Sequence, residues 1–368
     1  MEHTQETQTT TESKRQVTLN KKSRLGAGDF PLMIITLILV VFGVIMVFSS
    51  SYYDSISRNY TPYHFLVRQI IWVCGGSLFF FVGAMVDYRF WRKVAPWAAI
   101  LGLVLLCLLF TPMGHSINNA TRWLKVGPVT VMPGEIAKLC AIMFTAWYLS
   151  EKPNRIRSLL YGVIPVVALG GIYGVLIIKQ PNMSTAITVV GIVGCIMIVA
   201  GLQKRYIMLA VGAIVAFVFS LNTVLRGTYW YDRFASFQDP FADPLGDGYQ
   251  VVQSLLGIGS GGLFGVGLGK SVQKSLYLPE PQNDFILAII GEELGFVGIM
   301  ILMLVYAAFI WRGVHIALNA RDQFGLLLAS GVVLMEGIQV LLNLAVLTSS
   351  MPPKGINLPL ISYGGNGI

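Results

Sequence analysis

Nine long runs of apolar residues, separated by short polar stretches, divide the chain from about residue 31 onward. They cover roughly 31–53, 67–86, 94–111, 135–149, 160–178, 185–200, 207–225, 284–311 and 323–348. A bilayer core about 30 Å thick needs roughly 20 mostly apolar residues as α-helix, because backbone groups there must satisfy one another away from water. Each run is therefore predicted to be a membrane-spanning helix, and the short fourth and sixth runs are expected to extend into their flanking loops. Asp29 followed by Pro31 predicts the start of the first helix, an acceptor cap with proline in the first turn. The polar, Thr/Gln-rich stretch before it has no apolar h-region. Residues 1–28 thus read as a disordered tail and not a signal peptide, and residues 29–368 as one polytopic, all-α membrane bundle.

Composition supports this pattern: 55% of the 368 residues are hydrophobic and 12% charged, about half the charged share of soluble domains. The few charges also orient the chain. With the N-terminus inside, the inner segments hold fifteen of the 26 Lys and Arg in some 62 residues, and the outer segments hold ten over about twice that length. A membrane protein with its N-terminus inside follows, with the large loop 226–283 outside. The net charge of +8 then reflects topology and attraction to anionic headgroups of the lipid bilayer, and points to no nucleic acid. Cys74, Cys107, Cys140 and Cys195 lie in apolar runs without metal-type spacing and are expected to be buried small hydrophobes.

Two outer segments carry most of the remaining information. Residues 112–134 mix Trp, Arg and Lys with apolar residues, as a segment lying at the membrane interface would. The run GIGSGGLFGVGLGKS (257–271) imitates nucleotide-binding glycine motifs, but no strand precedes it and Phe264 occupies the first glycine position of the phosphate-loop pattern. It reads instead as a loop in which glycine permits close packing on a membrane surface.

Ionisable groups inside apolar runs are costly and are functional candidates by default. Glu135 and Lys138, at i and i+3, are neighbours on the fourth helix and suit an ion pair. Glu292 and Glu293 lie about 100° apart on the eighth and cannot face the same neighbour, so one is expected to cap or bond an adjacent helix. Glu336, Gln339 and Asn343 form a polar stripe on the ninth that suits bonding between helices. Asp284 opens the eighth helix beside Glu280, Gln282 and Asn283. It could cap that helix, or act as a general base toward a hydroxyl in a partly desolvated groove.

Read in order, these blocks resemble the shape, elongation, division and sporulation (SEDS) family, nearest its FtsW/SpoVE branch and more distantly RodA. The resemblance runs from about residue 30 to the end. It rests on TRWLKVGPVTVMPGEIAKL (121–139), KQPNMSTA (179–186), the long block 231–298 containing LPEPQNDFI, and GINLPLISYGG (355–365). It implies a ten-helix bundle and a peptidoglycan glycosyltransferase that joins lipid II disaccharide-pentapeptide units by β-1,4 links outside the membrane, releasing undecaprenyl pyrophosphate. Asp284 would match the catalytic aspartate, and Arg122, Glu135 and Lys138 would match residues of the site, with Arg233 and Lys354 as further cations for the pyrophosphate. A class B penicillin-binding protein and divisome or spore-cortex proteins are the implied partners. A divalent cation, magnesium or manganese, could bridge the pyrophosphate to acidic residues, although no metal-ligand spacing demands one.

The chain also departs from the family pattern. Gly134 stands where serine is usual, Asn182 where aspartate is usual, and Gln282-Asn283 precede Asp284 in place of His-Thr or Gln-Thr. Asn366-Gly367 replace a serine pair, and the sequence reaches Ile368 one helix short of ten. A lipid II transporter would also fit a polytopic bundle with buried charges, and Asn182 with the truncated end would fit a weakened scaffold that activates a partner transpeptidase.

Overall fold

Each predicted apolar run forms a helix. The computed structural model describes residues 28–117, 120–126, 129–223, 239–246, 248–351, 355 and 357–364. Among these, α1 spans Phe30–Ser57, α2 His64–Met85 and α3 Tyr88–Leu108. Three strands follow: β1 (Gly114–Ile117), β2 (Ala120–Val126) and β3 (Val129–Val131). Next come α4 (Pro133–Glu151), α5 (Ile164–Ile178), α6 (Met183–Val199), α7 (Lys204–Thr223), α8 (Tyr249–Gly261), α9 (Ile286–Leu318) and α10 (Gln323–Leu347). Six described stretches are long and apolar enough to cross a membrane: α1, α2, α3, Leu159–Ile178, α9 and α10. The chain is a polytopic helical membrane protein. The tail 1–27 lies outside the described residues.

Asp29 caps α1 as its position predicts, accepting from the Leu32 amide at 3.0 Å with Pro31 in the first turn. It also pairs with Arg312 at 2.8 Å, which ties the start of α1 to the late part of α9. That end of the bundle is closed by further polar contacts, such as Arg92 with Glu151 at 2.9 Å. Short connections between helices leave this end little room for a site.

Between membrane helices the hydrophobic effect offers little, since lipid tails are as apolar as leucine, so small residues that let helices approach closely carry the packing. Ala137, Ala141 and Ala146 of α4 are fully buried, and α4 packs on α3, α6 and α10. The core has two parts. One gathers α3 to α6 with the first half of α10, through Phe324, Leu327 and Met335. The other gathers α1, the buried start of α9 and the second half of α10, through Val340, Val346 and Leu347. Helix α10 therefore joins the two lobes.

Three expectations are corrected. The segment 112–134 is not a simple interfacial stretch: it holds an antiparallel sheet in the order β1-β2-β3, with Leu124 opposite both Gly114 and Val131. Strand pairing satisfies the backbone of a polar segment that could not otherwise lie against the bundle. The cysteines are not uniformly buried, because Cys74 and Cys107 lie on exposed helix faces, where lipid accepts a small apolar side chain as readily as a core does. Helix α9 is also not continuous. At Gly295 the backbone turns to φ 69° and ψ −169°, a conformation open only to glycine, and the helix breaks.

A break at membrane depth frees backbone groups that must find partners. The glycine run supplies them. Val266 and Gly267 donate to the carbonyls of Glu292 and Glu293 at 2.9 and 3.0 Å, and Phe296 and Val297 donate to Gly262 and Leu263 at 2.9 and 3.1 Å. The glycines thus serve close approach, as expected, here against a broken helix. A Cβ on Gly295 would lie 2.4 Å from the Gly265 nitrogen. Gly295→Ala is therefore expected to destabilise the detergent-solubilised protein by at least about 1–3 kcal/mol in thermal unfolding. Gly194→Ala, on an open helix face, should be neutral or stabilising by up to ~1 kcal/mol.

Candidate active site

The opposite end of the bundle brings together the ends of α1, α4, α6 and α10, the sheet, and the loop that leads into α9. Residues 280–284 of that loop, Glu-Pro-Gln-Asn-Asp, are held from several directions. Gln282 turns inward, is buried, and donates to Asp54 of α1 at 2.9 Å, while Arg58 holds Asp54 at 2.9 Å and reaches Glu280 at 3.6 Å. Asn283 donates to Glu280 at 2.7 Å.

Asp284 does not cap α9. The helix begins two residues later, and its cap position, Phe285, makes no side-chain hydrogen bond. The carboxylate is instead partly accessible and set deep among protein atoms. Burial and the nearby negative charge of Glu280 push it up to about 7, and Arg122 opposes that rise from the sheet. A Cβ on Gly355 would lie 3.0 Å from Asp284 Oδ2, so backbone passes directly beside the carboxylate.

Strand alternation explains the position of Arg122. Residues i and i+2 share a face of a strand, so Arg122 lies on the face of the buried Leu124, while Lys125 is exposed on the other. Its guanidinium donates to the Pro181 carbonyl in the turn between α5 and α6. One turn into α4, Lys138 is buried and pairs with the half-buried Glu135 at 2.6 Å, as the i, i+3 spacing predicts. Glu336 of α10 lies within electrostatic range of this pair. Seven residues on, Asn343 donates to the Asp284 carbonyl at 3.3 Å. The polar stripe of α10 thus links the Glu135–Lys138 pair to Asp284. Arg233 and Lys354 lie outside the described residues.

The residues that depart from the expected pattern keep their local work. Asn182 caps α6, accepting from the Thr185 amide at 3.3 Å, as an aspartate there would. Gly134 faces the same spot, where an added Cβ would meet Thr185 at 3.1 Å.

A second charged cluster lies beneath the loop, and only part of it was legible in sequence. Glu293 pairs with Lys274 at 2.7 Å, both buried, and Ser49 of α1 donates to the same carboxylate at 2.7 Å. Glu292 points elsewhere, accepting from Ser271 and from the Val272 and Gln273 amides at 2.8 and 3.2 Å. The two acids do face different neighbours, but both anchor the same loop. Lys274 counts only as one of the outer cations in the sequence. The signal that could have found it is the demand of two intramembrane carboxylates for a cation. Among the described residues, no three His, Cys, Asp or Glu side chains converge as a metal site.

The fold and site define a polytopic membrane protein with the Asp284 carboxylate raised to about 7 within electrostatic range of Arg122. The chain belongs to the cell cycle protein family of FtsW, RodA and SpoVE, whose sequence model matches residues 30–368. It is 39% identical to the stage V sporulation protein E of Bacillus subtilis over 344 residues, 92% of this chain and 93% of that one. It is 35% identical to a probable peptidoglycan glycosyltransferase FtsW of Trichlorobacter lovleyi over 351 residues, 95% and 92% of the two chains. Its fold is similar to a chain from a study of how a peptidoglycan synthase complex coordinates polymerization and crosslinking, with a TM-score of 0.79 at 26% identity over 93% and 94% of the chains. It also resembles the rod shape determining protein RodA of Thermus thermophilus, with a TM-score of 0.68 at 26% identity over 94% and 93%.

The buried pair beneath the loop makes a direct prediction. Lys274→Met should cost about 3–5 kcal/mol, because it leaves the Glu293 carboxylate buried and uncompensated. Lys274→Met combined with Glu293→Leu should recover much of that loss. Thermal unfolding of the three proteins in one detergent checks both outcomes.

Proposed function

We propose that this protein is a peptidoglycan glycosyltransferase that polymerises glycan strands from lipid II, with Asp284 as the general base. The end of the bundle that carries Asp284 faces the outside of the cytoplasmic membrane and the N-terminus lies inside, in line with the clustering of Lys and Arg at the other end. Asp284 takes the proton of the acceptor sugar's 4-hydroxyl. The freed oxygen attacks the donor's anomeric carbon as its bond to the pyrophosphate oxygen breaks, giving an inverted β-1,4 link and undecaprenyl pyrophosphate.

The observation that carries this reading is the setting of Asp284. A base works best when its pKa lies near the working pH, and burial together with Glu280 holds this carboxylate at about 7. A carboxylate at the usual value would be a far weaker acceptor. Arg122, near enough to oppose that shift, is placed to meet the charge that gathers on the leaving pyrophosphate. Lys138 is already committed to Glu135, and we assign the pair to holding the floor of the site. Arg233 and Lys354 are kept as further cations for the leaving group. A divalent cation, Mg2+ or Mn2+, would find two carboxylates here, Asp284 and Glu280.

The likeness to a chain of a peptidoglycan synthase complex supports a class B penicillin-binding protein as partner. The two kinds of relative support a role in division or sporulation, beside divisome or spore-cortex proteins. Asn182 still caps α6 as an aspartate there would, which supports an active enzyme over a weakened scaffold.

The purified protein with its penicillin-binding partner should convert labelled lipid II to glycan chains resolved on a gel. Asp284→Asn should lower the rate by about 10²–10⁴-fold, and polymer at the wild-type rate from this variant would overturn the base assignment. Lipid II translocation without polymer from either protein would point to a transporter. Because the base must be ionised, the wild-type rate should fall roughly tenfold per pH unit below about 7 and level off above it.

A further inference from the structure

Three successive carbonyls lead into Asp284, and each accepts a hydrogen bond from a different donor. The Gln282 carbonyl accepts from the Tyr363 amide at 2.9 Å. The Asn283 carbonyl accepts from Ser362 Oγ at 2.7 Å, and the Asp284 carbonyl from Asn343 Nδ2 at 3.3 Å. Two donors come from the segment 357–364 and one from α10, so the backbone around Asp284 is clamped by two elements distant from it in sequence.

The clamp is itself rigid. Ser362 is 1% exposed and also accepts from the Leu358 amide at 2.8 Å, which closes the turn that carries it. Gly364 donates to Gln69 of α2 at 3.2 Å. Ile361 packs on α1 at Gly43, where an added Cβ would lie 2.7 Å from the Ile361 Cα. Gln282, one residue from the middle of the clamp, is fixed on its other side by Asp54. The bonds from Tyr363, Ser362 and Asn343 act on the peptide planes that set the direction of the Asp284 side chain.

We propose that Ser362 and Asn343 are positioning residues for Asp284, aiming its carboxylate by fixing the carbonyls of Asn283 and Asp284. The proposal rests on the reading of Asp284 as the base. It separates two duties that one loop could have combined. The charge cluster at Glu292, Glu293 and Lys274 anchors the loop to the bundle, and Ser362 with Asn343 set the last ångström of the carboxylate's position. A misplacement of about 1 Å can cost 10²-fold in rate without loss of substrate binding.

The test compares wild type, Ser362→Ala, Asn343→Leu and Asp284→Asn in the same complex with labelled lipid II, measuring kcat, KM, the pH–rate profile and the thermal unfolding temperature. Ser362→Ala and Asn343→Leu are each expected to lower kcat by about tenfold or more with KM unchanged. They should also move the acid limb of the profile to lower pH, because a loosened carboxylate regains water and ionises more readily. Wild-type kcat with an unmoved profile in both variants would overturn the proposal. So would a loss of rate that tracks the loss of folded protein while the profile of the remaining enzyme stays in place. Asp284→Asn keeps the two readings apart: if it polymerises like wild type, the base assignment fails, whereas if it is inactive while the other two are unaffected, only the clamp fails.

Discussion

Two backbone amides, those of Val266 and Gly267, reach the carbonyls that α9 leaves open where it breaks at Gly295, and two amides beyond the break donate back to the glycine run. In water such groups would be satisfied by solvent. Within a membrane each would otherwise cost several kcal/mol, so the break and the glycine run can exist only together. The side chains repeat the arrangement, with Glu292 holding residues 271–273 and Glu293 holding Lys274 and Ser49. Everything C-terminal in that loop, up to Asp284, starts from this docked base.

From there the loop meets the rest of the bundle in an order that suits a catalytic carboxylate. Asp54 and Arg58 at the end of α1 hold Gln282 and Glu280, and α10 contributes Asn343. The segment after α10 contributes Ser362 and the Tyr363 amide. Among the described residues, burial and Glu280 raise the pKa of this carboxylate against the opposing pull of Arg122.

Much of the bundle was legible in the sequence, because membrane depth forces a simple rule on it. The nine apolar runs became helices, seven of them within about four residues of their expected ends, and Asp29 with Pro31 opened the first of them. Glu135 and Lys138 paired as their spacing requires. The break at Gly295 was hidden, since an apolar run reads the same whether or not one glycine inside it turns to positive φ. The sheet at 114–131 was hidden for a related reason: its strands are short, and pairing between segments decides their structure more than their own composition does. Lys274 was missed because a lysine in a glycine-rich loop gives no local sign of burial.

The sequence by itself determined that this is a polytopic membrane protein of the FtsW, RodA and SpoVE family. Hydrophobic length is a local property, and the motif blocks are specific enough to recognise without coordinates. Only the tertiary structure decided how the site is built. It placed Asp284 beyond reach of a helix-capping role, and it brought Asn343 to its carbonyl and Ser362 to that of Asn283, from 59 and 79 residues away. It also set Arg122 across the site on a strand. These are contacts between distant segments, and they depend on which faces the helices bury against one another, a choice that no single apolar run encodes.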